Sequence, residues 1–335
     1  MAFDFRAIRV SLWRALRGFG VLALAASVHP ASSPAQSVAP QAGLWLEAEG
    51  QKVFGSSDFE VGMVPSSIFA ITGPVNDLDE GDGWGGALTL GYVWTNGWSA
   101  AVRYRRLEAD DRGGPIDPGI VAFGPGVDVI PGGFPIGVLG ARTKVDSATT
   151  ILDFEVGNDI AIAGGRLHLF GGLTYTSIER DVALLDDGCG CVPFALLMAN
   201  DFHGVGPKIG FRGGFPLNNA LSVVGGGSVA ALFGTSKFMS YLDDPLLPSS
   251  PFKDEDDRIV AAFDGEAGLA FAIGAGTLTV GYRIDVVLGA LDTDQRVSSL
   301  ATMFMDVPPI GDKHDDFVEH GPFARFALPL GAIGN

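Results

Sequence analysis

The sequence has two cysteines, few charges and, after its first thirty-odd residues, no apolar run long enough to cross a bilayer as a helix. A helical span needs about 20 consecutive apolar residues, so a helical membrane protein is excluded. Cys189 and Cys191 stand in one C-x-C pair and cannot supply a disulfide framework. Basic residues are scarce, 22 Lys+Arg against 39 Asp+Glu for a net charge of -17. Nucleic acid is therefore not a partner, because counterion-driven binding needs a basic surface. Only five histidines occur, and no G-x-S-x-G is found.

What is present is grease without runs. Hydrophobic residues make up 47% of the 335, charged residues only 18%, and the mean hydropathy is +0.28. Hydrophobicity of that order, spread by alternation rather than collected in blocks, is how a transmembrane β-barrel is written. The 48 glycines and 23 phenylalanines agree with crowded walls and aromatic girdles. A glycine-rich secreted sandwich is the competing reading, in which the same apolar faces form a dry core.

The N-terminus carries Arg6, Arg9, Arg14 and Arg17, then a short apolar segment at residues 18–28, then Ser33, Pro34 and Ala35. This pattern predicts a secretory signal peptide over residues 1–35, cleaved after Ala35, and a barrel domain over 36–335. The alternative is an N-terminal anchor or amphipathic helix, which Pro30 and Pro34 oppose.

The clearest hairpin lies at residues 150–181. Leu152, Phe154 and Val156 alternate with Asp153 and Glu155; after Gly164 and Gly165, Leu167, Leu169, Leu173 and Tyr175 alternate with Arg166, His168 and Thr174. Other segments repeat the scheme, with Trp84 to Trp94 and Trp98 to Tyr104 joined by an Asn96-Gly97 turn. Short connections fall near residues 96, 164, 218 and 275, and long ones at 55–83, 107–146, 181–200, 234–257 and 289–316. That rhythm predicts an all-β, antiparallel up-and-down barrel of ten strands, with short periplasmic turns and long external loops. Twelve strands would result if apolar pieces at 120–123 and 127–130 pair; folding inward as a plug is their other option.

On this reading the apolar faces meet outer-membrane lipid and the polar faces look inward. The inward set, candidate pore-lining residues, is Glu47, Glu49, Arg103, Arg105, Asp153, Glu155, Arg166, His168, Lys208, Arg212, Asp264, Glu266, Arg283, Asp285, Glu319 and Arg325. Such charges either sort permeating solutes by their field or pair across the barrel and fill it. Ten strands lie near the side-chain-filled end of barrel sizes, so any conduit is narrow.

Several phrases resemble the pore-forming outer membrane proteins of the Legionella major-outer-membrane-protein type: WLEAE from Trp45, GWGGALTLGY from Gly83, DFEVG from Asp153, LFGGLTY from Leu169, GVGPKIGF from Gly204, LTVGYR from Leu278 and HGPFARF from His320. The resemblance implies a pore-forming barrel and makes Pro207, awkward in a strand, part of the pattern.

The expected function is a porin-like barrel in the bacterial outer membrane, passing small hydrophilic solutes or ions; homo-oligomerisation is left open. The alternative is a closed structural or adhesive barrel acting through acidic external loops. No cofactor or metal is expected: DLDEGD at residues 77–82 lacks a calcium-loop ligand pattern, and zinc would need a second Cys or His pair. Cys189 and Cys191 are left as a local bridge, an interchain pair or a free dithiol. No enzyme is expected, since no constellation of a histidine with a nucleophile and an orienting partner rises above chance. Asp201 with His203 and Glu319 with His320 are expected to point apart.

Overall fold

The computed structural model describes residues 42–60, 77–116, 141–162, 164–186, 195–243, 252–292 and 314–331. The expectations for residues 1–35, for the apolar pieces between 117 and 140, and for Cys189 and Cys191 lie outside these residues. Ten strands run in order: β1 Gly43–Glu60, β2 Asp77–Val93, β3 Trp98–Ile116, β4 Ala141–Ile162, β5 Gly165–Asp186, β6 Ala195–Pro216, β7 Leu221–Asp243, β8 Phe252–Ile273, β9 Gly276–Asp292 and β10 His314–Gly331. Each pairs antiparallel with its sequence neighbour, and β1 pairs β10, so the sheet closes on itself. Closure leaves no unpaired sheet edge around the wall, which is what allows a sheet to cross hydrocarbon.

The tight turns form where glycine supplies positive φ. Gly97, Gly164 and Gly274 have φ of 83°, 79° and 60°, and Trp98 N donates to the Asn96 side chain at 3.2 Å. Pro207 sits within β6; the β6–β7 ladder omits Gly206 and Pro207 and resumes at Lys208↔Ala230 in unchanged register. Gly206 is needed for contact, because a Cβ there would lie 1.7 Å from the Ala231 carbonyl oxygen.

The lipid-facing rows fall where alternation put them. Trp84, Leu88, Leu90, Val102, Tyr104, Phe154, Leu173, Ile209, Phe211, Phe233 and Phe263 all point outward and are exposed. Trp84, Tyr104, Tyr175 and Tyr282 form an outer aromatic belt, and Trp94, Trp98 and Phe215 an inner one.

The expected long loops need correction. Their bounds are too wide, since strand runs into both ends of 55–83, 107–146, 181–200, 234–257 and 289–316: β3 continues to Ile116, β5 to Asp186 and β7 to Asp243. The wall therefore stands well above the bilayer, and there its pattern inverts. On β5, Leu173 and Tyr175 face out with Thr174 and Thr176 inside; two residues later Glu179 and Asp181 face out while Ile178 and Val182 are buried inside. On β3 the switch falls between Tyr104 with Arg105 and Glu108 with Leu107. Below the belt the outside is oil; above it the outside is water, so the apolar residues change sides.

Candidate functional site

The lumen is built in layers. At the end bearing the tight turns is a vestibule of about 210 Å³ lined by Trp45, Glu47, Thr89, Ser99, Arg103, Asp159, His168, Arg212 and Arg325, among others. Two glycines seat its rings: a Cβ on Gly91 would strike the Trp45 indole, and one on Gly157 the His168 imidazole. His168 Nδ1 lies 2.7 Å from Asp159 Oδ1, and its ring stacks on Phe170.

Above the vestibule most of the predicted inward charges meet. Glu49, whose side chain is 1% exposed, accepts from Arg103 Nη2 at 3.0 and 3.1 Å, from Arg325 Nε at 2.7 Å and from Arg283. Arg283 also donates to Glu266, which accepts from Arg325 Nη1 and Nη2 at 2.9 and 2.6 Å. Glu47 approaches Arg325 Nε at 3.3 Å. Across the lumen Lys208 donates to Asp153 at 3.0 Å and lies 3.5 Å from both Glu155 and Asp264. Arg212 grips Glu155 through both terminal nitrogens, at 2.8 and 2.9 Å, over the Phe170 ring at 4.4 Å. Arg105 pairs with Asp285 at 2.6 Å. Glu319 is inward and buried. Arg166 lies near the turn end of β5, only partly buried, and is not brought into this network. His168 is joined to it only through the vestibule.

The partners come from strands far apart in the chain: Glu49 on β1, Arg103 on β3, Glu266 on β8, Arg283 on β9 and Arg325 on β10. Such a fully paired set is stable in a dry interior because each charge has several opposite neighbours; removing one member would leave others uncompensated.

A second layer, which the sequence reading missed, lies above the charges. Ile178, Phe202, Ala230, Leu232, Val260, Val287, Ala290, Leu291 and Phe317 form one buried apolar cluster inside the barrel, and Val53, Leu107 and Ala109 form another. Phe202 and Leu232 are 0% exposed. The available signal was the inverted alternation: apolar residues of the inward parity continue past the belt opposite Glu108, Glu179, Asp181 and Asp201.

Higher still, Asp292 gathers five strands. Arg258 Nη2 donates to its carboxylate at 2.6 Å, Ser236 Oγ at 2.6 Å, and Asn200 Nδ2 donates to its carbonyl at 2.7 Å. His314 Nδ1 lies 3.0 Å away. The β8–β9 ladder ends at Ala261↔Leu288. Beyond it, Gly289 takes φ of 65° and Ala290, Leu291 and Asp292 are all buried in succession, so the end of β9 bends into the lumen.

His203 and His320 face outward. His203 shares its face with Asp201, two residues away, which corrects the expectation that they point apart; its Nδ1 lies 3.4 Å from the Tyr175 hydroxyl rather than on a carboxylate. His320 lies 2.5 Å from the Tyr282 hydroxyl. Among the described residues no group of three or more His, Cys, Asp or Glu is arranged to hold a metal.

A wall greasy outside and ionic inside is the arrangement of an outer-membrane barrel, and one family model, described as the Legionella pneumophila major outer membrane protein precursor, matches residues 30–328. The chain belongs to that family. The protein is thus a bacterial outer-membrane β-barrel. Among solved structures it is similar to the outer membrane protease OmpT from Escherichia coli, at 9% identity and TM-score 0.48 over 87% of this chain and 97% of that one. A major outer membrane protein from Thermus thermophilus aligns at 12% identity and TM-score 0.33, covering 84% and 98%. The P. putida toluene transporter TodX aligns at 8% and 0.33, covering 89% and 93%. No curated protein matches the chain.

Proposed function

We propose that this family member, exported by a signal peptide over residues 1–35, is a barrel closed at rest that works at its outer surface. One observation carries the reading: two layers of buried side chains, one charged and one apolar, lie inside the barrel one above the other. Arg283 at 1% exposure lies in the charged layer, and Phe202 and Leu232 at 0% in the apolar layer above it. Side chains lining a water-filled conduit would be wetted, and these are not. Most of the sixteen inward residues predicted from the sequence, Arg166 and His168 apart, then serve to hold ten strands around a filled interior, as side chains do in small barrels. The working surface is the tall, acidic outer wall.

Purified protein reconstituted in planar bilayers tests this. The expected result is no discrete conductance steps in the wild type; regular steps at rest would overturn it.

A second reading, passage of small hydrophilic solutes through the same lumen, is supported by the bent end of β9. That end is released from β8 beyond Leu288 and turns at Gly289, so displacing it would uncover the apolar layer. Asp292→Ala, which removes the acceptor for Arg258 and Ser236, would then raise the frequency of open events; unchanged silence would dismiss this reading.

A further inference from the structure

Above the aromatic belt the outer wall carries a feature that neither a membrane anchor nor a filled lumen requires. Four aspartates stand directly across from one another on four adjacent strands: Asp82↔Asp110, Asp110↔Asp146 and Asp146↔Asp181. A second line pairs Glu179 with Asp201. Like charges placed opposite each other on a sheet are destabilising, so a row of them is not explained by folding. Lys52 pairs with Asp82, Arg106 with Glu108 and Lys144 with Asp146. Among the described residues no ion pair is formed by Glu179, Asp181 or Asp201.

Beside this acidic row the outer face is apolar, although it lies beyond the bilayer. The rows Lys144↔Ala183↔Leu197↔Tyr241 and Asp146↔Asp181↔Ala199↔Met239 run next to each other. Small Ala183 and Ala199 make a floor between Leu197, Met239 and Tyr241, and the resulting groove, bordered by Lys144, Asp146 and Asp181, has a volume of about 340 Å³. Leu197 and Met239 are 45% and 43% exposed. Burial and the neighbouring Asp201, Asp146 and Glu179 push the Asp181 carboxyl above its ordinary range, a sign that negative charge is crowded there without full compensation.

We propose that this groove is a docking surface for a cationic amphipathic peptide segment of another protein, apolar side chains entering between Leu197, Met239 and Tyr241 and Lys or Arg side chains meeting Asp146, Asp181 and Asp201. Charge complementarity selects this occupant over an anionic lipid headgroup, whose phosphates the row would repel. The inference rests on the outer surface being the working face, and its test does not involve conductance, so the two fail separately.

The probe is a short alternating Lys–Leu peptide, titrated against full-length protein in maltoside micelles, with empty micelles and the equivalent Glu–Leu peptide as controls. Saturable binding of the cationic peptide is expected, and none of the acidic one. The triple substitution Asp146→Asn, Asp181→Asn, Asp201→Asn relieves repulsion and so keeps the fold; it is expected to weaken binding at least about tenfold. Ala199→Trp, which fills the groove and leaves every charge in place, is expected to weaken it comparably. If Ala199→Trp binds like the wild type, the attraction is only diffuse charge and the groove is not a site. Binding of lipopolysaccharide vesicles with Mg²⁺ that the triple variant abolishes while the peptide fails to bind would equally overturn the proposal, assigning the surface to lipid.

Discussion

Replacing Arg283 tests the architecture of the lumen at its centre. Its guanidinium donates to Glu49 and Glu266 and lies 5.1 Å from the Phe323 ring. Breaking a buried pair by deleting one partner costs about 3–5 kcal/mol. Glu49 would still hold Arg103 and Arg325, and Glu266 would still hold Arg325, so the lower end applies, about 3 kcal/mol for Arg283→Ala. Arg283→Met fills the space, leaves both carboxylates their other partners and is expected to cost about half as much. Urea titration of folding into lipid vesicles, followed by tryptophan fluorescence, measures the difference. Conductance supplies the second half of the test. Arg283→Ala alone is expected to stay closed, because the apolar layer above is intact; adding Phe202→Ala and Leu232→Ala is expected to produce steps. Channel activity from the single substitution would show that the apolar layer is no seal, and a loss below about 1 kcal/mol would refute the picture of a dry charged hub.

Three further predictions follow from the wall. Ile209→Arg, at a site 64% exposed on the outer face, is expected to destabilise the bilayer-inserted barrel by about 2–4 kcal/mol, against almost nothing if that face met water; vesicle folding titrations decide. Gly206→Ala is expected to lose the folded, heat-modifiable gel band, since its Cβ would meet the Ala231 backbone at 1.7 Å and only separating β6 from β7 can relieve that. For Asp181 the carboxyl's folded pKa is raised above the ordinary 3.8, so the folded chain keeps the proton longer than the unfolded chain. Stability of the outer end of β5 is therefore greatest at acid pH and is lost as pH rises from the unfolded value through the folded one. Asp181→Asn should flatten that dependence and add about 0.5 kcal/mol at neutral pH, small because the site is largely solvated; amide exchange along β5 against pH measures it.

The strands inside the bilayer were legible because their signal is local. Trp84, Leu88 and Leu90 share a face by period two alone, and Asn96-Gly97 marks its turn without reference to anything distant. The extensions above the belt read as loops in the sequence for the same reason. Asp, Gly and Pro are frequent there, and β3 from Leu107 to Ile116 looks polar until one asks which solvent each face meets. The inward placement of Arg103, Asp153, Lys208 and Arg283 could be read from parity. Their partners could not: Glu49 meets Arg283 and Arg325 only because β1 closes on β10 and the lumen is narrow enough for side chains from β3, β8, β9 and β10 to converge.

The sequence alone determined which faces of the bilayer strands meet lipid, a barrel of ten or twelve strands and the side on which the chain turns short, since alternation, glycine and turn chemistry act over a few residues. Only the closed structure decided that inward charges of β1, β3, β8, β9 and β10 meet in one network and that the aspartates of β2 to β5 stand in one row. Both depend on register and closure, which bring together residues separated by up to hundreds of positions, and nothing local encodes those distances.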